Sequence, residues 1–373
     1  MKKSLIIWAL VLGLTLLSCR EAQWRPGMPL AKEEVMVGVI HISNPFDEDA
    51  GYAVAHQNGI WEMQEYLNLR NDQLLYRINI DYSNPQAIES AMRELIARGA
   101  NIIVATSWGY MDACEQMARE YPGVVFAHAS GYRNNDTNFT NYFGRVYQAR
   151  YLSGVIAGLK TQTNRIGYVA AWGRENSEVT GGINAFAMGV ERVNPEARVL
   201  VKVTHSWFDP MGETQAARDL IAAGCDILAQ HVDTANPQIE AQRAGVWGIG
   251  YNTDMSHDAP EAVITSVLWH WGAYYIHLVE SIMDGSFSTE PWYGSLADGI
   301  IDLSPISSVV PLDPATYALV NEERRRIETE ELILFSGPLR TNEGATIGRA
   351  GAALPDFEVQ FGIDWYYHTV EEL

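Results

Sequence analysis

From residue 35 onward, short apolar runs alternate with stretches of helical period. Residues 35–40 (VMVGVI) read as a first strand, followed by a Pro- and Asp-bearing loop at 44–49 and a helix over about 51–68. Residues 76–82 read as a second strand, and 85–98 as a helix with Ser83 and Asn84 as its cap and Gly99 as its stop. A third strand is expected at 102–105, a helix at 112–120 and a fourth strand at 124–128. The pattern then restarts. Helices are expected at 147–160, 181–193, 212–223 and 237–244, with strands at 165–170, 199–204, 226–229 and 246–251. Such alternation predicts α/β architecture with parallel sheets built from βαβ units. Two consecutive arrays, each of about 110 residues, predict two similar lobes rather than one large sheet. Beyond them come a Trp- and Tyr-rich helix at 266–283, a strand-rich region at 293–310 and a charged helix at 314–329. The Gly-rich end from 333 reads as a hairpin with terminal aromatic packing.

Ahead of the first array lies an apolar run at 5–17, preceded by Lys2 and Lys3 and followed by LLSC at 16–19. It is shorter than the ~20 residues a spanning helix needs. Its three-part build is that of an export signal. The cysteine at the cleavage point makes it resemble a bacterial lipoprotein signal, which implies that Cys19 becomes the acylated first residue. The polar, proline-bearing stretch at 20–33 is then a tether between lipid and fold.

Composition narrows the function. Apolar residues make up 47% and charged residues 19%, which is globular rather than disordered. The formal charge of −20 offers no footprint for nucleic acid and no general attraction for anionic ligands. Apart from Cys19 only Cys114 and Cys225 remain, in separate helix and strand contexts, so two buried thiols are expected rather than a disulfide. No CxxC pair, HExxH motif, GxSxG elbow, phosphate-binding P-loop or GxGxxG turn is present. Neither a metal nor a cofactor is expected, and the acidic loop Asp47-Glu48-Asp49 reads as solvated.

Ligands of parallel α/β sheets collect at the carboxyl ends of strands. The loops there carry Phe46, Asp49 and Tyr52 after the first strand, and Trp108 and Asp112 after the third. In the second array they carry Trp172, then Trp207, then Asp233, then Asn252 and Asp254. Nearly every strand end thus pairs an aromatic ring with a carboxylate or amide. Rings of this size stack on planar ligands, with ~0.5–1.5 kcal/mol per well-placed pair beyond area burial. Asp and Asn can read ring nitrogens and exocyclic amines. A planar nitrogen heterocycle bearing N–H groups matches this set.

Several phrases carry a family resemblance: YPGVVF at 121–126, RYLSGVIAG at 150–158, RIGYV at 165–169, GINAF at 182–186, SWFDP at 206–210, and TDM at 253–255 leading to TSV at 265–267. In this order, behind a lipoprotein-like signal, the chain resembles the Bmp (basic membrane protein), or purine-nucleoside-receptor-like, family of lipoprotein substrate-binding components of ABC transporters. The resemblance implies a type I periplasmic-binding-protein fold, with two Rossmann-like lobes joined by three crossovers. The implied lobes are 34–145 plus 267–298, and 146–266 plus 299–373. It implies a purine ligand trapped between closing lobes, ABC permease and ATPase partners, and no enzyme activity. It places the protein at the cell envelope, lipid-anchored on an extracytoplasmic membrane face. By motif position, Tyr52 and Trp207 resemble the family's stacking aromatics and Asp112 its base-reading aspartate. Asn252 to Asp254 resemble its late acidic loop. Where many nucleoside-binding members have a lysine for the ribose, this chain has Trp269, so a nucleobase such as adenine, guanine or hypoxanthine is favoured over a nucleoside. Tyr52, His56 and Gln57 depart from the first-helix pattern of the branch linked to free bases. Two alternatives remain open: a nucleoside receptor signalling to a partner, and a nucleoside hydrolase using the acidic loop with calcium.

Overall fold

The computed structural model describes residues 24–46 and 51–373. The signal segment with Cys19, and the acidic loop with Asp49, lie outside the described residues. The first array comprises β1 (Val37–Ile40), α1 (Tyr52–Leu67), β2 (Leu74–Arg77), α2 (Pro85–Ala97), β3 (Ile102–Ala105), α3 (Met111–Glu120), β4 (Val125–Ala129) and β5 (Phe139–Gly144). The second comprises α4 (Tyr147–Lys160), β6 (Arg165–Ala170), α5 (Ser177–Val193), β7 (Arg198–Val203), α6 (Pro210–Ala222), β8 (Ile227–His231), α7 (Asn236–Ala244), β9 (Trp247–Asn252) and β10 (Val263–Trp269). Then follow α8 (Gly272–Asp284), β11 (Trp292–Gly294), β12 (Ile301–Leu303), α9 (Pro314–Glu328), β13 (Leu339–Arg340), β14 (Thr346–Ile347), α10 (Asp356–Phe361) and β15 (Val370–Glu372).

The strands form two sheets. The first, ordered β11-β5-β4-β3-β1-β2, is parallel throughout. The second, β12-β10-β9-β8-β6-β7-β15, is parallel except at β12. Helices cover both faces, so β1 and β3 are buried at every position, which explains their unbroken apolar sequence. The chain passes between the lobes three times, after β5, after β10 and after β11. Helices start where side chains satisfy free backbone N–H groups: Asn84 caps α2, Asn176 caps α5, Asp209 caps α6 and Asp313 caps α9. The small face of α4 has a direct cause. A Cβ on Gly154 would sit 2.0 Å from the Phe186 carbonyl oxygen, and one on Gly189 2.1 Å from that of Tyr151, so α4 and α5 pack backbone to backbone.

Four expectations need correction. The second strand is Leu74–Arg77, earlier than 76–82, because its pairing with β1 ends at Arg77 and Asn79 turns the chain with φ of 56°. The strand β5 is not among the expected elements, because Thr140 and Asn141 break the apolar run of FTNYFG although its Phe, Tyr and Thr residues favour strands, and every residue of it is buried. Thr140 donates to the Glu290 carbonyl and Asn141 to the Arg133 carbonyl, which lets polar residues occupy an inner strand. The expected helix at 266–283 is two elements, since TSVLW belongs to β10, held by β9 and β12, and the helix begins at Gly272. The return to the first lobe therefore falls after Trp269, not before residue 267. Finally, the Gly-rich end holds the expected hairpin, β13 with β14, but also α10 and a strand that extends the second sheet.

Cys114 and Cys225 are separate buried thiols, and burial pushes Cys225 up to about 12. Among the described residues no helix is long and apolar enough to cross a membrane.

Candidate functional site

A cleft of about 760 Å³ opens between the two lobes, within the range of small-molecule sites. Its first-lobe wall comes from Tyr52 at the start of α1, from Tyr82, from Trp108 after β3 and from Tyr132 and Phe143 around β5. The opposite wall comes from Trp172 after β6, Trp207 and Phe208 after β7, Asp233 after β8 and Tyr251 in β9. The first turn of α5 contributes Ser177 and Glu178, and α10 contributes Phe357, Gln360 and Phe361. No lysine, arginine or histidine lines it among the described residues.

The walls are braced from behind. Trp271 stacks face to face on both His56 (4.2 Å between ring centres) and Trp269 (4.3 Å). Tyr52 stands edge-on against His56 at 4.4 Å. On the far side Tyr251 meets His231 edge-on at 4.5 Å, and Trp207 meets the same His231 at 5.9 Å. The lobes approach closely at Gly51, whose φ of 108° and lack of a side chain both matter: a Cβ there would lie 2.8 Å from the Asp233 carbonyl oxygen.

Three carboxyl groups line this cleft: Glu175 at its exposed rim, and Glu178 and Asp233. Glu178 is drawn up to about 7 by burial, against the pull of the Arg150 guanidinium and a hydrogen bond from Tyr251. His231 lies 3.6 Å from it but is held well below its usual range, by burial and then by Arg150, so it is neutral. Asp233 accepts a 2.9 Å hydrogen bond from the Asn252 side chain, while its backbone N–H bonds the Trp207 carbonyl at 2.9 Å. These links tie three strand ends together.

Tyr52, Trp108, Trp172, Trp207 and Asp233 therefore meet in one cavity, as the strand ends suggested. Five other expected site residues do not line it. Asp112, in the first turn of α3, is 84% exposed and paired at 2.5 Å with Arg133, outside the cleft lining. Asp254 caps its own turn by accepting from the Ser256 N–H. Phe46 packs against Trp61 and Tyr76. Asn252 acts one layer back, through Asp233. Trp269 is also buried one layer back. Its indole N–H donates to the Tyr251 hydroxyl at 3.0 Å, which in turn bonds Glu178, so it braces the cleft rather than filling it.

Glu178, Tyr251 and the α10 residues were not among the expected ones. A cap signal did exist for the first of these: Asn176 accepts from the Val179 N–H, which starts α5 four residues before the expected 181 and aims Glu178 into the cleft. No group of three or more His, Cys, Asp or Glu among the described residues could hold a metal ion.

The model of the family "ABC transporter substrate-binding protein PnrA-like" matches residues 36–333. A purine-binding protein of Brucella abortus is 32% identical over 346 residues, covering 93% of this chain and 95% of that protein. A putative ABC transporter glucose-binding protein of Haloferax volcanii is 33% identical over 314 residues, 83% of this chain and 76% of its own. Among solved structures, an ABC transporter solute-binding protein of Conexibacter woesei superposes with a TM-score of 0.68 at 22% identity, over 80% of this chain and 98% of that one. The shared fold is the type I fold of periplasmic solute-binding proteins.

Proposed function

The chain belongs to the PnrA-like family of ABC transporter substrate-binding proteins, whose members bind solutes rather than transform them, and on that footing we propose that it captures a purine, a free base in preference to a nucleoside. The observation that carries this reading is the composition of the cleft: flat rings from both lobes, three carboxyl groups and, among the described residues, no cation. A neutral heterocycle stacked between Tyr52 or Trp108 and Trp172 or Trp207 would present its N–H groups to Glu178 and Asp233. The cavity has room for a nucleoside, so it is chemistry rather than size that favours the base. Among the described residues no lysine or arginine lines the cleft to meet ribose hydroxyls. Ligand bridging both walls would favour the closed arrangement of the lobes. The loaded protein would then dock on a membrane permease driven by an ATPase. The purine-binding relative supports this substrate class.

The test is calorimetry on unfolded and refolded protein with adenine, guanine, hypoxanthine, adenosine, inosine and glucose. A base that binds more tightly than its nucleoside is expected. Nucleosides binding more tightly would reverse the preference, and glucose binding alone would replace the purine reading with a sugar one. In the same assay Trp207→Ala should weaken binding by about tenfold, ~1.4 kcal/mol. Asp112→Ala should leave affinity unchanged, since its carboxylate faces Arg133 and solvent.

Acylation of Cys19 would tether the fold to a membrane surface through residues 20–33. Membrane fractionation checks this: Cys19→Ala should shift the protein to the soluble fraction, and retention on the membrane would exclude the anchor.

A further inference from the structure

The family match ends at residue 333, yet the cleft does not. Its remaining wall is α10, six residues near the end of the chain. Asp356 pins this helix at the first crossover by a two-pronged pair with Arg145 (3.0 and 2.6 Å). At its other end Phe361 meets Trp108 at 5.9 Å and Tyr132 at 5.7 Å, both from the opposite lobe. Between these anchors, on the cleft side, is Gln360.

Gln360 is 9% exposed, and neither its amide oxygen nor its amide nitrogen has a hydrogen-bond partner. Buried polar groups are almost always paired, and each orphan costs about 1–3 kcal/mol. Both amide atoms are closed off from the cleft that Gln360 lines, and no hydrogen bond holds them there, so a turn of the side chain towards the cleft would give both a partner in a bound ligand. Gln360 also borders a 20 Å³ void with Phe143 and Glu178, and all three residues line the main cleft, so Gln360 and Glu178 are neighbours at one corner of it.

We propose that Gln360 reads the edge of the bound ring that carries its exocyclic group. A primary amide offers one acceptor and, beside it in the same plane, a donor. Its complement is a ring edge with an adjacent donor and acceptor: the amidine edge of an aminopurine, or the lactam edge of an oxopurine. Glutamine pairs with adenine in this two-point way in other settings. The aromatic walls hold the ring plane and supply affinity for any flat base, while Gln360 selects bases with a substituted edge. This assignment rests on the purine reading above.

Calorimetry of wild type, Gln360→Ala and Gln360→Met with adenine, hypoxanthine and unsubstituted purine tests it, with the unfolding midpoint of each ligand-free protein as a check. Both variants should bind adenine and hypoxanthine about tenfold more weakly or worse, and unsubstituted purine within about threefold of wild type. Ligand-free midpoints should hold or rise, because the orphan amide is gone. Equal losses for all three ligands would mean that the residue only supports the wall, and no loss would mean that its amide is merely hydrated. Either result overturns the assignment while leaving the purine reading intact. Wild-type protein that binds none of the three overturns both.

Discussion

Acidification from pH 6.5 to 4 should unfold this protein. Four histidines, His41, His56, His128 and His231, are fully buried. Burial is the main cause in each case, and it pushes His41 and His128 down to about 4 and the other two well below the usual range. The folded protein keeps these rings neutral, whereas the unfolded chain takes up their protons near pH 6.5. In that window the unfolded state binds more protons, so stability falls as pH falls. His41 and His128 alone cost on the order of 3 kcal/mol each by pH 4. Their sum is comparable to the whole stability of many domains. Glu178 works the other way. Its raised folded pKa adds stability that is complete below the ordinary glutamate range and is lost as pH rises through about 7, worth on the order of 2–3 kcal/mol. The histidines outweigh it. Urea midpoints followed by tryptophan fluorescence should fall steeply across this window, and His128→Gln should flatten the slope. A midpoint that stays level between pH 6.5 and 4 would rule out neutral buried rings.

The architecture was legible because most strands are covered on both faces and so are written as apolar runs, such as VGVI and IIVA. Polar residues hid β5, whose burial depends on backbone partners at Arg133 and Glu290, distant in sequence or in another element. At the site, strand ends brought Tyr52, Trp108, Trp172 and Trp207 to one cleft, though not Phe46 or Trp269, since the direction of a parallel strand fixes where its loop emerges. They located the carboxylates poorly. Asp112 and Asp254 have the right residue type, but Arg133 and the Ser256 N–H engage them. Whether a carboxylate faces a ligand or its own turn depends on neighbours that no local pattern records. Glu178 was reachable through its capping asparagine. Gln360 was not, because a six-residue helix has too little period to announce itself and its place in the cleft is set by Arg145, more than two hundred positions earlier.

Replacing Arg150 by alanine should destabilise the fold by about 3–5 kcal/mol. This side chain on α4 is wholly buried beneath the cleft floor. One guanidinium nitrogen donates to the Gln230 carbonyl at 2.6 Å, and the group lies over the Tyr251 ring at 4.2 Å and the Tyr168 ring at 5.6 Å. Truncation empties that volume, orphans the carbonyl and leaves the Glu178 carboxylate without its nearest buried positive charge. Arg150→Met separates these contributions. It restores most of the volume, and it also removes the desolvation cost of a guanidinium whose other two nitrogens lack partners. Methionine should therefore recover more than half of the loss at pH 6, where Glu178 is largely protonated. At pH 8 the recovery should be smaller. Without Arg150 the Glu178 pKa rises further, and holding the carboxylate ionised in the folded state then costs more. The same change should weaken any ligand that offers an N–H to this carboxylate, and should spare one held by stacking alone. Urea unfolding of wild type and both variants at pH 6 and pH 8 reads the difference directly. A methionine variant equally stable, relative to wild type, at both pH values would show that Arg150 fills space under the cleft and does not set the charge of the group above it.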